Sequence, residues 1–219
     1  MAEPESITEE LRTDILEGRF EPGERLVELR LTEQYNCGRF AVRSALLELS
    51  TEGLIDREAN RGARVRDVSI TEAIQIAQAR AALETLIAGE AARNADEAQC
   101  DALISIGEEM SVAVAASDWP MYSVLNGTLH RYLREISGHD VASHLVLHLR
   151  NRGAQHRFQL ASKPGRARES IKQHRAIIDA VVAGDAPAAT DAMAAHLASV
   201  VEVLQNWQEP ERPNPDSPR

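Results

Sequence analysis

From about residue 67 to residue 208 the helical pattern of the chain is broken in only five places. "NAD", "SDWP", "SGHD", "SKPGR" and "AGDAP" each hold Gly, Pro, Asn or Asp, the residues that punctuate helices. Between them apolar side chains recur at helical spacing, so residues 70–94, 96–116, 118–137, 139–161, 167–183 and 186–207 are expected as helices. Ser69 and Glu72 match a capping box at the first of them. No stretch after residue 67 reads as a strand. Helices this long and apolar must bury their stripes against one another, which specifies an antiparallel bundle of about six helices. Composition agrees: 43% of residues are hydrophobic but only 4% aromatic, so the core is aliphatic and alanine-rich. Residues 209–219 are polar and proline-rich and read as a disordered tail.

The first 66 residues read differently. Ser6 with Glu9 fits a capping box, and Ile7, Leu11 and Ile15 follow at helical spacing up to a stop at Gly18. A Pro-Gly turn in "FEPGERL" leads to a short extended piece around Leu26, then a second helix from Glu28 to Tyr35. Asn36-Cys37-Gly38 forms a tight turn, since Asn and Gly both tolerate positive φ. A third helix runs from Arg39 to Thr51, with Val42, Ala45, Leu46 and Leu49 on one face and Gly53 as its stop. "LIDRE", "ANRG" and "ARV" make a small β-hairpin. Helix, helix, tight turn, helix, hairpin is the order of a winged helix-turn-helix, whose post-turn helix enters the DNA major groove. The fold expected is therefore mainly α: a head over residues 1–66, then a helical domain over 67–208.

Charge bears on the head's partner. The chain carries a formal net charge of -10, yet the charge is not uniform. Residues 1–35 hold four arginines and ten acids, net -6; residues 36–66 hold six arginines and four acids, net +2. Positive charge is confined to the third helix and the hairpin, where Arg39 and Arg43 lie one helical turn apart. Arginine pairs bidentately with guanine or clamps a phosphate. No apolar segment is long enough to span a bilayer, and "MAEPESITEE" is the opposite of a secretory signal. Cys37 and Cys100 form no CxxC motif, which points to a reducing cytoplasm. Cys37 reads as a core residue.

The stretch "ILEGRFEPGERLVELRLTEQYNCGRFAVRSALLELSTEGLI…RGARV" resembles the DNA-binding domain of the GntR superfamily of bacterial transcription regulators. The helical remainder, with "GTLHRYLREISG", "QHRAIIDAVVAGD" and "MAAHL", resembles the FCD-type effector-binding domain of its FadR-like branch. The resemblance implies that Arg39 reads bases, that Arg43 is shared between base and phosphate, and that Arg61, Gly62 and Arg64 form the wing tip. It also implies a homodimer on a palindromic operator. The family's usual Gly-Val-Ser-Arg-Thr-Pro-Val-Arg is altered here: Asn36, Cys37, Gly38, Phe40 and Ala41 stand at the variable places. Phe40 is expected either to touch a thymine methyl or to pack on the first helix.

Three of the seven histidines, His130, His174 and His196, sit in inward-looking patterns on three different helices. Buried imidazoles on facing helices can converge on a metal ion in a bundle core. The resemblance implies that set with one further ligand, an Asp or Asn one turn before the first histidine, which here is Asn126. An amide attracts a cation less than a carboxylate does, while three imidazoles suit Zn²⁺ or Ni²⁺; an empty polar pocket is the alternative. Arg80 is placed either on an effector carboxylate, as the resemblance implies, or in a salt bridge to Glu84 four residues on. His144 and His148 are a rival i,i+4 pair without a third ligand, expected on a solvated or pocket-rim face.

Two functions follow. The first is a metabolite-responsive repressor whose operator affinity is modulated by a small carboxylic acid. The second is a metal-dependent enzyme acting on such an acid. The enzyme would need a general acid or base near the metal; the ligand helices offer only Glu135 and Asp179, and no HExxH motif is present. The regulator is the expected function, and no enzyme activity is expected.

Overall fold

A computed structural model describes residues 4–58, 62–153 and 165–206. The expected tail, and Arg61 at the wing tip, lie outside the described residues.

Helix α1 (Pro4–Leu16) buries Ile7, Leu11 and Ile15. It begins two residues before Ser6, so Ser6 lies in the first turn and is not its N-cap. Helix α2 (Glu28–Gln34) is short and buries Leu31. The turn that follows puts Asn36, at φ 47°, in the left-handed region. Gly38 has an ordinary extended backbone and caps α3 (Arg39–Thr51) without a side-chain bond. The α3 side chains Ala41, Val42, Ala45, Leu46 and Leu49 are buried, as the 3.6-residue period dictates. Arg12 of α1 clamps the end of α3: its Nε and Nη2 donate to the Glu52 carboxylate at 2.8 and 2.5 Å.

Strands β1 (Arg25–Leu26), β2 (Ile55–Glu58) and β3 (Gly62–Val65) form an antiparallel sheet of order β1-β3-β2. The extended piece around Leu26 thus becomes a third strand, and pairs the edge of β3 that a two-stranded hairpin would leave open. Ala63 opposes Leu26 on one side and Arg57 on the other, and Val65 opposes Ile55. Alternation sends Leu26, Ile55, Ala63 and Val65 inward, where they complete the core begun by Leu11, Val42, Leu46 and Leu49.

Among the described residues the remainder is a bundle of six helices: α4 (Ile70–Asn94), α5 (Glu97–Ala115), α6 (Trp119–Ser137), α7 (Asp140–Arg152), α8 (Arg166–Val182) and α9 (Ala186–Gln205). Helix α7 stops at Arg152, short of the expected residue 161, and residues 154–164 lie outside the described set. Helix α4 is the central element and packs on α6, α7, α8 and α9. Its approach to α9 is close because Gly89 has no side chain: a Cβ there would lie 2.8 Å from Thr190 Oγ1. The Ser69 hydroxyl caps α4 by accepting from Glu72 N–H at 3.1 Å. Only half of the expected capping box forms, because the Glu72 carboxylate turns away to Arg66 and Arg152. The bundle core is the aliphatic, alanine-rich one expected, built from residues such as Ile87, Ala91, Leu103, Leu129, Leu133, Ile177 and Leu197.

Candidate functional site

The head presents one cationic face. Arg39 and Phe40 occupy the first turn of α3, both exposed, Phe40 at 80%. Phe40 therefore does not pack on α1. Arg43 follows one turn later; its Nε donates to Glu28 Oε2 on α2 at 2.8 Å, so the guanidinium is oriented while still 63% exposed. Gly62 opens β3 at φ +89°, and Arg64 on the same strand donates to Gly23 O at 3.1 Å. Arg66 does not belong to this face, since it is held by Asp56 at 2.9 Å and Glu72 at 2.7 Å. Cys37 is a free, half-buried thiol against the head core. Burial and then Glu10 raise its pKa, away from the reactive thiolate.

In the bundle, α6, α8 and α9 bring His130, His174 and His196 together. All three are buried, and each offers a ring nitrogen within 4.8 Å of the others. Among the described residues this is the one group of metal-ligating side chains so placed. Each Nδ1 has its own partner: Glu84 Oε2 at 2.7 Å for His130, Tyr122 Oη at 3.2 Å for His174, and Gln173 Oε1 at 3.0 Å for His196. A carboxylate and an amide oxygen only accept. The Nδ1 of His130 and of His196 must donate, which leaves each Nε2 as a lone pair. This is how metal-binding imidazoles are oriented from behind. His174 Nε2 and Asn126 Oδ1 are buried with no hydrogen-bond partner among the described residues, an arrangement that costs free energy unless something else is bound.

Electrostatics favour neutral rings. Burial holds the His174 and His196 imidazoles well below the usual histidine range, and the neighbouring histidines push them further down. Burial lowers His130 too, against the opposing pull of Glu84. For Glu84 burial acts upward, but Arg80 and His130 outweigh it and hold the carboxyl well below its ordinary value. Three neutral imidazoles and an amide oxygen are a donor set that Zn²⁺ or Ni²⁺ accepts, so the residues present fit a divalent transition metal.

Beside the histidines lies a cavity of about 80 Å³ lined by Arg80, Asn126, His130, Arg150, Arg166 and His196, among others. Arg80 forms the salt bridge to Glu84 that is one of its two expected placements. It is bonded to Glu84 through Nε at 2.7 Å and Nη2 at 2.6 Å, and it also lines the cavity. The His144–His148 pair is exposed and apart from this site: His144 Nδ1 bonds Asp140 O of its own helix at 2.8 Å, and His148 lies against Gly53 of the head. Glu135 and Asp179 are exposed and do not line the cavity.

With this geometry in place, comparison with known proteins decides the family. The FCD domain model matches residues 75–199, and the model of bacterial regulatory proteins of the gntR family matches residues 4–65. The chain belongs to the GntR family and carries an FCD domain. This GntR regulator is 26% identical over 195 residues to the HTH-type transcriptional repressor RspR of Escherichia coli K12, across 89% of this chain and 86% of that one. The repressor GlaR of the same organism is 28% identical over 204 residues, across 89% and 92%. McbR/YncC of E. coli shares the fold, with a TM-score of 0.80 at 20% identity over 94% of this chain and 99% of the other. The homologues are transcription regulators and not enzymes, and the GntR regulator described here is a DNA-binding protein of the same kind. Among the described residues no helix is long and apolar enough to cross a membrane.

Several contributors were not visible in the sequence. Tyr122 and Gln173 hold histidines, and Arg166 and Ser170 line the cavity. Tyr122 precedes Asn126 by four residues and Ser170 precedes His174 by four, so extending each ligand helix back one turn would have found both. Gln173 and the second bond of Glu84, to His130, depend on tertiary placement and leave no local signature.

Proposed function

We propose that this protein is a repressor whose affinity for a palindromic operator is set by a small carboxylic acid bound in the FCD domain. Residues 1–66 serve as the DNA-binding head and residues 67–208 as the effector-binding and dimerising domain. Arg39, Phe40 and Arg43 enter the major groove, and Gly62 and Arg64 form the wing, to which Arg61 is added on sequence grounds alone. Asn126, His130, His174 and His196 hold a divalent metal, Zn²⁺ or Ni²⁺, which supplies a Lewis-acidic anchor for one carboxylate; Arg80 stands beside it on the cavity wall.

One observation carries the reading. His174 Nε2 and Asn126 Oδ1 are buried without partners beside a cavity walled by arginine. The names of two relatives, the repressors RspR and GlaR, support repression as the sign. The test begins with native mass spectrometry of the freshly purified protein for dimer and metal. Duplexes are then selected from a random library, and the selected one is titrated with and without candidate acids. A dimer holding one metal per chain, with an operator whose affinity drops in the presence of an acid, is expected. A metal-free protein whose DNA affinity no acid changes would overturn the reading.

A further inference from the structure

The cavity beside the histidines is unbalanced in charge, and the imbalance speaks to the effector. Its described lining includes three arginines, Arg80, Arg150 and Arg166, and no acidic residue. Glu84 stands behind Arg80: its Oε1 accepts from Arg80 and its Oε2 from His130, and its charge also acts on Arg150. Among the described residues Arg166, at the start of α8, hydrogen-bonds a neutral group, and Glu169 acts on it only from a distance. Its Nη1 donates to Ser199 Oγ at 2.7 Å, and no carboxylate among the described residues lies within ion-pair distance. Burial lowers its pKa, and the upward pull of Tyr122 and Glu169 offsets this only in part. Its charge acts on Tyr122, His174 and His196, so it stands over the same site as the histidine trio. Asn126 adds to the excess, because an amide at that position brings no negative charge to a metal where a carboxylate would. Cations taken out of water remain costly until an anion meets them.

A ligand with one carboxylate answers only part of this. Placed at the metal and the Arg80 side, it leaves the Arg166 side without an anion. The geometry points to an effector with two anionic groups, one at the histidine side and the other on Arg166 with Ser170. Arg166 and Ser170 are one helical turn apart on α8, and both line the cavity. A guanidinium fork receives a carboxylate through two parallel bonds. The cavity is far smaller than the roughly 300–1,000 Å³ that houses drug-sized ligands, so the two groups must be joined by a short linker. This inference rests on the effector reading above and makes it specific: a short dicarboxylate and not a monocarboxylate.

Calorimetric titration of the full-length protein with one equivalent of Zn²⁺ per chain tests it, at matched ionic strength. Malonate and succinate are compared with propionate and butyrate. The dicarboxylates are expected to bind about tenfold or more tightly than the monocarboxylates of equal length. In Arg166→Gln that preference is expected to shrink by about the same factor. Equal affinity of the two classes in the unaltered protein would overturn the second anion site while leaving a carboxylate effector in place. Equal weakening of both classes by Arg166→Gln would overturn the role of Arg166. Binding of neither class would remove the effector reading itself, and this inference with it.

Discussion

Glu84 divides one buried charge between Arg80 and His130, and both partners depend on it. Truncating it to alanine strands a buried guanidinium, which costs about 3–5 kcal/mol. The same change frees His130 to rotate or to shift its proton, and the loss of such a partner weakens metal binding by about 10–100-fold. Glu84→Ala is therefore expected to lower the denaturant midpoint and to lose zinc to a chelating dye; undiminished zinc affinity would show that His130 is no ligand. Asn126 allows the opposite change. Its Oδ1 is already buried and unpartnered beside the histidines, and Asn126→Asp adds charge without changing shape. Zinc affinity measured by the same competition is expected to rise on the order of tenfold, the lower end of what ligand-shell changes are worth. Weaker binding would place Asn126 outside the site.

At the scale of elements, helix α3 separates core residues from the proposed DNA-contacting ones by its period. Val42, Ala45, Leu46 and Leu49 hold it to the head core, while Arg39, Phe40 and Arg43 stand outside. Phe40→Ala is thus expected to change unfolding free energy by no more than about 0.5 kcal/mol yet to alter which duplexes are selected. Arg43→Ala is expected to weaken binding across sequences and to reduce the salt slope of log affinity by about one. An unchanged set of selected duplexes for Phe40→Ala would remove it from the interface. The same periodicity explains what sequence reading reached. Helix spans, the head's element order and the trio His130, His174 and His196 are all repeats at helical spacing or breaks in it, and both are local. The third strand at Leu26, the turn of Glu72 away from Ser69 to Arg152, and the grip of Gln173 on His196 join residues distant in the sequence. They follow from packing, which no local pattern in the sequence carries. Arg66 is the instructive case: counted with the positive wing by sequence position, it is held by Asp56 and Glu72.

On the scale of the whole molecule, the head meets the bundle at a small polar junction. Glu72 Oε1, at the start of α4, accepts from Arg66 of the head at 2.7 Å and from Arg152 of α7 at 2.8 Å. Gly53, just past the recognition helix, lies so close to Arg152 that a Cβ would come within 2.6 Å of its Cγ, and at φ +82° only glycine is at ease. Two residues back along α7, Arg150 is part of the cavity wall. One helix thus touches both the cavity beside the histidines and the head, so under the proposed effector reading a shift of α7 would move the ground on which the head rests. Glu72→Gln keeps the shape and removes the charge. Its expected effect is on coupling: the factor by which an acid changes operator affinity falls, while metal content stays the same. Couplings of this kind are typically about 1–3 kcal/mol, so a loss of several-fold is measurable by anisotropy titration. The pH dependence has a definite sign. Arg152 first, then Arg66, lower the Glu72 carboxyl against the upward effect of burial. A carboxyl lowered on folding contributes stability that is fully present above its unfolded value, about 4.3, and is lost as pH falls through its lower folded value. The difference between Glu72→Gln and the unaltered protein should therefore be flat from pH 8 to about 5, shrink only below about 4, and diminish with salt. A difference that instead varied around neutral pH would assign the junction to another group.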